Sequence, residues 1–151
     1  MIKVLMIILG LAVALTAETG VVLLGKNPGM SVVFDIMKAQ KIRQPMMVDS
    51  AQGVRFLCTP IGAEKAKPFP ADTATAGQAV FSFTVQDSGA YTFFATVFWQ
   101  GGASNSFWVK MDTMKTEVFG NDGETGKWLP WRGPVWRLAP GTHTLTVQER
   151  E

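Results

Sequence analysis

The side chains that most often carry chemistry are scarce in this chain. It has one histidine, His143, and one cysteine, Cys58. With one of each, no ordinary nucleophilic triad or zinc cluster can be assembled. Glycoside hydrolysis by paired carboxylates needs two acids about 5 to 10 Å apart across a cleft, and no pair is marked out locally. Asp112 and Asp122 lie beside turns, where a carboxylate caps a loop. His143 falls on an inward-facing position and reads as a satisfied core residue. Cys58 follows Phe56 and Leu57 and reads as a small buried side chain. These readings make the chain a non-enzyme. The five tryptophans are the remaining chemical resource. Trp108 falls on the polar face of its strand beside Ser106 and Lys110. Trp128 and Trp131 lie in a Pro/Gly-rich stretch that reads as a loop, where rings stay exposed at a sheet edge. Trp99 is at a strand end on the inward face and reads as core. Such rings serve equally to meet a ligand, to cap a core or to form a subunit interface. Asn105, between a Gly-rich turn and a strand, can bond a ligand hydroxyl or its own turn.

The element that must position these residues runs from Ala90 to Asp112. In its first arm Tyr91, Phe93, Ala95, Val97 and Trp99 are apolar at every second position, with Thr92 and Thr96 opposite. In its second arm Phe107, Val109 and Met111 alternate with Ser106, Lys110 and Asp112. Period-two alternation rich in aromatic and β-branched residues predicts two half-buried strands. Gln100-Gly101-Gly102 between them predicts a turn using positive φ, hence a hairpin at the centre of an antiparallel sheet. Further strands are predicted in Ser31–Gln40, Met46–Val48, Val54–Cys58, Gln78–Val85, Lys115–Phe119 and Thr142–Glu149. Thr59–Thr75, with Pro60, Pro68 and Pro70, predicts a long surface loop. Many short strands, frequent Gly/Pro turns and no long helix point to an all-β antiparallel β-sandwich or jelly roll.

The chain has 151 residues, 47% hydrophobic and 17% charged. This length suits one domain with a single core. The net charge of +2 comes from scattered Lys and Arg, without the basic run of a nucleic-acid binder. Residues 1–17 are apolar apart from Lys3 and end in small residues, the layout of a secretory signal peptide or, uncleaved, a membrane anchor. Residues 18–29, with Asn27-Pro28-Gly29, read as a connector, and 30–151 as the β-sandwich domain. The globular part is therefore expected outside the cytoplasm: secreted, periplasmic or at the cell surface. Membrane contact is expected only if the leader is retained.

From Gly77 to Glu151 the sequence resembles the non-catalytic jelly-roll carbohydrate-binding modules of the galactose-binding-like class, near families 6 and 35. The resemblance is carried by Gly89-Ala90-Tyr91 entering the strand to Trp99, and by Ser104-Asn105-Ser106-Phe107 with Val109 and Asp112. The tryptophan cluster Trp128 to Trp136 and the stretch Leu138, Gly141 to Leu145 with Arg150-Glu151 complete it. It implies binding of a polysaccharide or glycan, with ring stacking on Trp128 and Trp131, a lesser place for Trp108, and polar help from Asn105 or Asp122. These modules open with a Glu-x-Glu strand whose carboxylates hold structural calcium. Here the equivalent positions are Lys38-Ala39-Gln40; Lys38 supplies a positive charge and Gln40 a neutral carbonyl, a poor set for a hard cation. The implied calcium site is expected to be lost, leaving no cofactor. The family also continues beyond Arg150-Glu151 into a last strand, so an open sheet edge able to pair with a partner protein is expected. The alternative reading is a structural subunit of an envelope or extracellular assembly, using the same fold for protein contacts.

Overall fold

The alternation between Gly89 and Met111 builds two strands in two different sheets. The computed structural model describes residues 2–5, 20–25, 31–51, 53–60, 76–102, 104–121 and 124–150. Within them lie β1 (Ile2–Leu5), β2 (Gly20–Gly25), β3 (Ser31–Asp35), β4 (Lys41–Arg43), β5 (Met47–Ala51) and β6 (Val54–Pro60). They are followed by β7 (Gln78–Val85), β8 (Gly89–Phe98), β9 (Ser106–Met111), β10 (Glu117–Gly120), β11 (Trp128–Leu138) and β12 (Gly141–Glu149). A single 3₁₀ turn, Ile36–Lys38, is the one helical element among the described residues. The architecture is an antiparallel β-sandwich.

The first sheet is organised around β8. One edge of β8 pairs with β11 from Gly89 to Phe98. The other edge is shared: β2 pairs along Tyr91–Phe94 and β1 along Val97–Phe98. Outside β2 lies β3, and outside β1 lie β6 and then β5. The second sheet has the order β10-β9-β12-β7-β4.

The predicted hairpin is therefore an arch that crosses between sheets. Both arms have one apolar face, as their alternation requires, but the faces meet across the sandwich instead of lying side by side. Phe93 and Phe107 are both buried in the one large core. The link between them is held by Trp99, fully buried, and by Ser104, whose N–H and hydroxyl both donate to the Gly101 carbonyl at 2.9 and 3.2 Å. Gly101 and Gly102 are not among the positive-φ glycines, so the turn logic that suggested a hairpin is not in use there.

Both sides of the sandwich are closed by aromatic contacts. On one, Phe34 of β3 packs edge-on against Phe81 and Phe83 of β7, with centroids 5.6 and 4.9 Å apart. On the other, Phe93 of β8 meets Phe119 of β10 at 4.7 Å and Trp136 of β11 at 6.0 Å. Tyr91 donates its hydroxyl to the Asp87 carbonyl at 2.8 Å, tying the entry of β8 to the turn before it.

Several predicted boundaries shift. The strand expected over Ser31–Gln40 stops at Asp35, whose carboxylate accepts the Met37 N–H at 2.8 Å and caps the 3₁₀ turn. Thr59 and Pro60, expected in the long loop, extend β6; residues 61–75 of that loop lie outside the described residues. Gly20–Gly25, in the expected connector, is a strand, as its Val-Val-Leu-Leu core favours, and it bridges β3 and β8. Of the expected leader, Ile2–Leu5 forms β1 and residues 6–17 lie outside the described residues.

Candidate functional site

Strand geometry decides which tryptophans can act together. Trp128 and Trp131 are in β11 rather than in a loop. Their Pro/Gly context is compatible with a strand because, among the described residues, β11 pairs only with β8, and on such an edge Pro130 and Pro134 need not donate to a neighbour. A register shift between Arg132 and Val135 absorbs Gly133-Pro134. Residues three apart on a strand face opposite ways. Trp131, beside inward-facing Ala95, joins Leu129 against the main core. Trp128, beside Phe98, lies on the outer surface of the first sheet, 5.4 Å from the Phe98 ring and 6.1 Å from Phe56. The two rings implied as one stacking surface are on opposite sides of a sheet. Trp99 and Trp136 are core residues.

Asn105 is buried in the arch, where its backbone carbonyl accepts the Asn121 N–H at 2.7 Å. Asp122 lies outside the described residues. Lys38 and Gln40 are exposed at and after the 3₁₀ turn. A cation and a neutral amide do not fit the calcium position that the resemblance implies. Among the described residues no three His, Cys, Asp or Glu side chains converge on a metal position.

Trp108 has the surroundings of a ligand platform. It is half-buried on the outer face of the second sheet, where the register aligns Val118, Trp108, Gln148, Gln78 and Arg43 across all five strands. The next row holds Lys110, Thr146, Val80 and Lys41. The Arg150 guanidinium lies 5.3 Å from the Trp108 ring centroid and donates to the Ser106 hydroxyl at 2.6 Å. That arrangement is a cation–π contact whose cation is itself held in place. Gln148 is 1% exposed, and its Nε2 is a buried donor with no hydrogen-bond partner. Such a donor is costly to leave unmet and is a rare feature of native structures.

Of these, Trp108, Ser106 and Lys110 share the polar face recognisable from the sequence. Gln148, Arg150, Gln78, Arg43 and Lys41 are not marked out there. Alternation along β12 could have placed Gln148 with Thr146 on an outward face. Only the pairing of β12 with β9, and of β4 with β7, brings them beside Trp108.

A second polar cluster sits at the end of β9. His143 Nδ1 is 2.7 Å from Asp112 Oδ2, and His143 Nε2 donates to the Ala139 carbonyl at 2.8 Å. Asp112 Oδ1 accepts the Thr144 N–H at 2.7 Å, with Asp112 itself at φ 48°. Burial disfavours charge on the imidazole, but the hydrogen bonds to Asp112 and Ala139 and the Asp112 charge outweigh it, and the His143 pKa is raised. His143 is thus a tethered side chain joining two turns. Cys58 is buried, and burial with the nearby Asp49 charge pushes its thiol up to about 11.

No protein-family model matches the chain, and no curated protein is significantly similar to it.

Proposed function

We propose that this chain is an exported β-sandwich that binds carbohydrate without cleaving it and without calcium. The observation that carries the reading is Trp108: a partly exposed indole on a polar sheet face, flanked by a guanidinium, amides and hydroxyls. Pyranose rings offer apolar C–H faces and polar rims, and this combination answers both. The resemblance in the Gly77–Glu151 stretch favours the same class. Trp128 offers a separate aromatic surface on the opposite sheet. The test is a glycan array followed by titration calorimetry, with and without calcium. Binding lost in Trp108→Ala supports the reading; no binding to any plant, algal or bacterial polysaccharide removes it.

One observation favours the alternative, a structural subunit of an extracellular assembly. Val33, Met47, Trp128 and Val135 lie at outward positions of the first sheet and are 38 to 55% exposed. Exposed apolar side chains gathered on one face suit protein contacts. Sizing the native protein in mild detergent, with mass spectrometry of its N-terminus, separates the two. A cleaved monomer speaks against the assembly.

A further inference from the structure

We infer that the outer face of the first sheet is a lipid-contact surface, which seats the protein on the headgroup region of a phospholipid bilayer. The carbohydrate reading uses the other sheet and is independent of it. The register lines up Trp128, Phe98, Val4, Cys58 and Met47 across five strands at the arch end of this sheet. Four residues further along β8 it lines up Arg132, Phe94, Val22 and Val33, with Val135 opposite Thr92 beyond them. Strands lie about 4.8 Å apart and residues about 3.3 Å apart along them, so these positions span roughly 20 Å in each direction. Trp128, Met47, Val33 and Val135 are 38 to 55% exposed. The Trp128 ring is propped against Phe98 and Phe56, which pack on buried Cys58 as a small cluster separate from the main core. An apolar area of this extent is more than scattered surface side chains account for.

Two observations favour lipid over protein on this face. The first is where the chain leaves the sheet. Leu5 lies opposite Val97 and Val22 opposite Phe94, so β1 and β2 continue one another along one edge of β8. The chain between them therefore starts and ends at one place, beside Phe98, and from Met6 to Ala17 it carries no charged residue. Membrane attachment strengthens with the apolar area brought to the interface, and the sheet face and the uncharged sequence joined to it add at one place. The second is the charge on the face. Arg132 and Arg137 stand among the apolar residues of β11 and make no ion pair among the described residues. The acids at the margin, Asp35 and Asp49, accept the backbone N–H groups of Met37 and Ser50. A guanidinium closed into a dry protein interface without a partner is costly. At a bilayer its apolar stem lies along the hydrocarbon boundary while its fork reaches headgroup phosphate. Trp128 suits the same depth, since indole rings collect at the membrane–water boundary.

The test is flotation of the full chain with vesicles of phosphatidylcholine, alone or mixed with phosphatidylglycerol. It is read together with quenching of tryptophan fluorescence by lipids brominated near the headgroup or near the bilayer centre. The chain is expected to float with both vesicles and to bind the anionic ones about three- to tenfold tighter, as the two arginines meet phosphatidylglycerol. Shallow bromines are expected to quench more than deep ones, and the quenching to disappear in Trp128→Phe. The other rings are out of reach: Trp99 and Trp136 are core residues, Trp131 packs on the core and Trp108 is on the other sheet. Val33→Asp and Val135→Asp, at positions 55 and 51% exposed, are each expected to weaken vesicle binding by about tenfold, with the melting temperature unchanged. Trp108→Ala is expected to bind vesicles like the native chain, which separates this surface from the glycan site. Absence of vesicle binding, or dimerisation through this face in its place, overturns the inference and leaves the carbohydrate reading standing. Flotation without quenching of Trp128, or undiminished in both aspartate variants, overturns it too, because the contact then lies elsewhere on the chain.

Discussion

At His143 both ring nitrogens face oxygen acceptors, a carboxylate and a carbonyl. A neutral imidazole can donate from only one nitrogen, so both contacts are satisfied together only when the ring is protonated. Its pKa is raised in the folded protein. The stabilisation from this site is therefore complete below the ordinary histidine value of about 6.5. It is lost as pH rises through the higher folded value. Urea unfolding midpoints should fall as pH rises above the ordinary histidine value, and His143→Gln should flatten that dependence, since the chain has no other histidine. A midpoint independent of pH in the native chain would contradict this. Cys58 gives a second test at this scale. Buried, with its thiol pushed up to about 11, it holds almost no thiolate at neutral pH. It should resist a disulfide reagent in native buffer and react fully within the same time in guanidinium chloride.

Gly120, the last residue of β10, shows how elements are locked together. Its φ is +100°, and a Cβ there would run into the Asn105 carbonyl oxygen and, at 2.6 Å, into the Trp99 ring. The approach to β11 is also bonded to the arch, with the Gly126 N–H donating to the Trp99 carbonyl at 2.7 Å. Gly120→Ala combines a disfavoured backbone with a backbone clash and should cost about 2 kcal/mol or more, read by chemical denaturation. Phe93→Ala removes the ring that joins β8 to β10 and β11 and should cost about 3 to 5 kcal/mol. Inward-facing residues are legible in the sequence because alternation is local: Tyr91, Phe93, Ala95, Val97, Phe107, Val109 and Met111 are all buried as expected. The choice of strand partners is not local. A short glycine-containing link between two amphipathic strands serves a hairpin or an arch equally well, and the opposing sheet decides. The prolines of β11 mislead for a similar reason, since an edge strand tolerates a residue that a central strand excludes. That is why Trp128 and Trp131, adjacent in a loop by sequence, part to opposite sides of a sheet.

For the whole molecule, the two sheets differ in what their outer surfaces offer. One bears Val33, Val135, Met47 and Trp128 together with Arg132 and Arg137; the other bears Trp108 and Val118 beside Lys41, Arg43, Lys110 and Arg150 and a row of hydroxyls and amides. Averaging over the chain hides this contrast, because charge counts and hydropathy ignore which strands become neighbours. A Trp108→Ala variant should lose carbohydrate binding with an unchanged melting curve, since the ring lies outside the main core. Replacing Val33 and Val135 by serine should leave that binding untouched and abolish any self-association seen by sedimentation. The shared edge of β8 carries a further consequence, concerning the order in which the chain becomes a protein. Strands β1 and β2 both seat on residues 91–98, so the β2–β3 and β1–β6–β5 groups have nothing to join them into one sheet until that stretch has left the ribosome. Nascent chains halted before Gly89 should stay open to protease, and those carried through Glu149 should acquire resistance in one step.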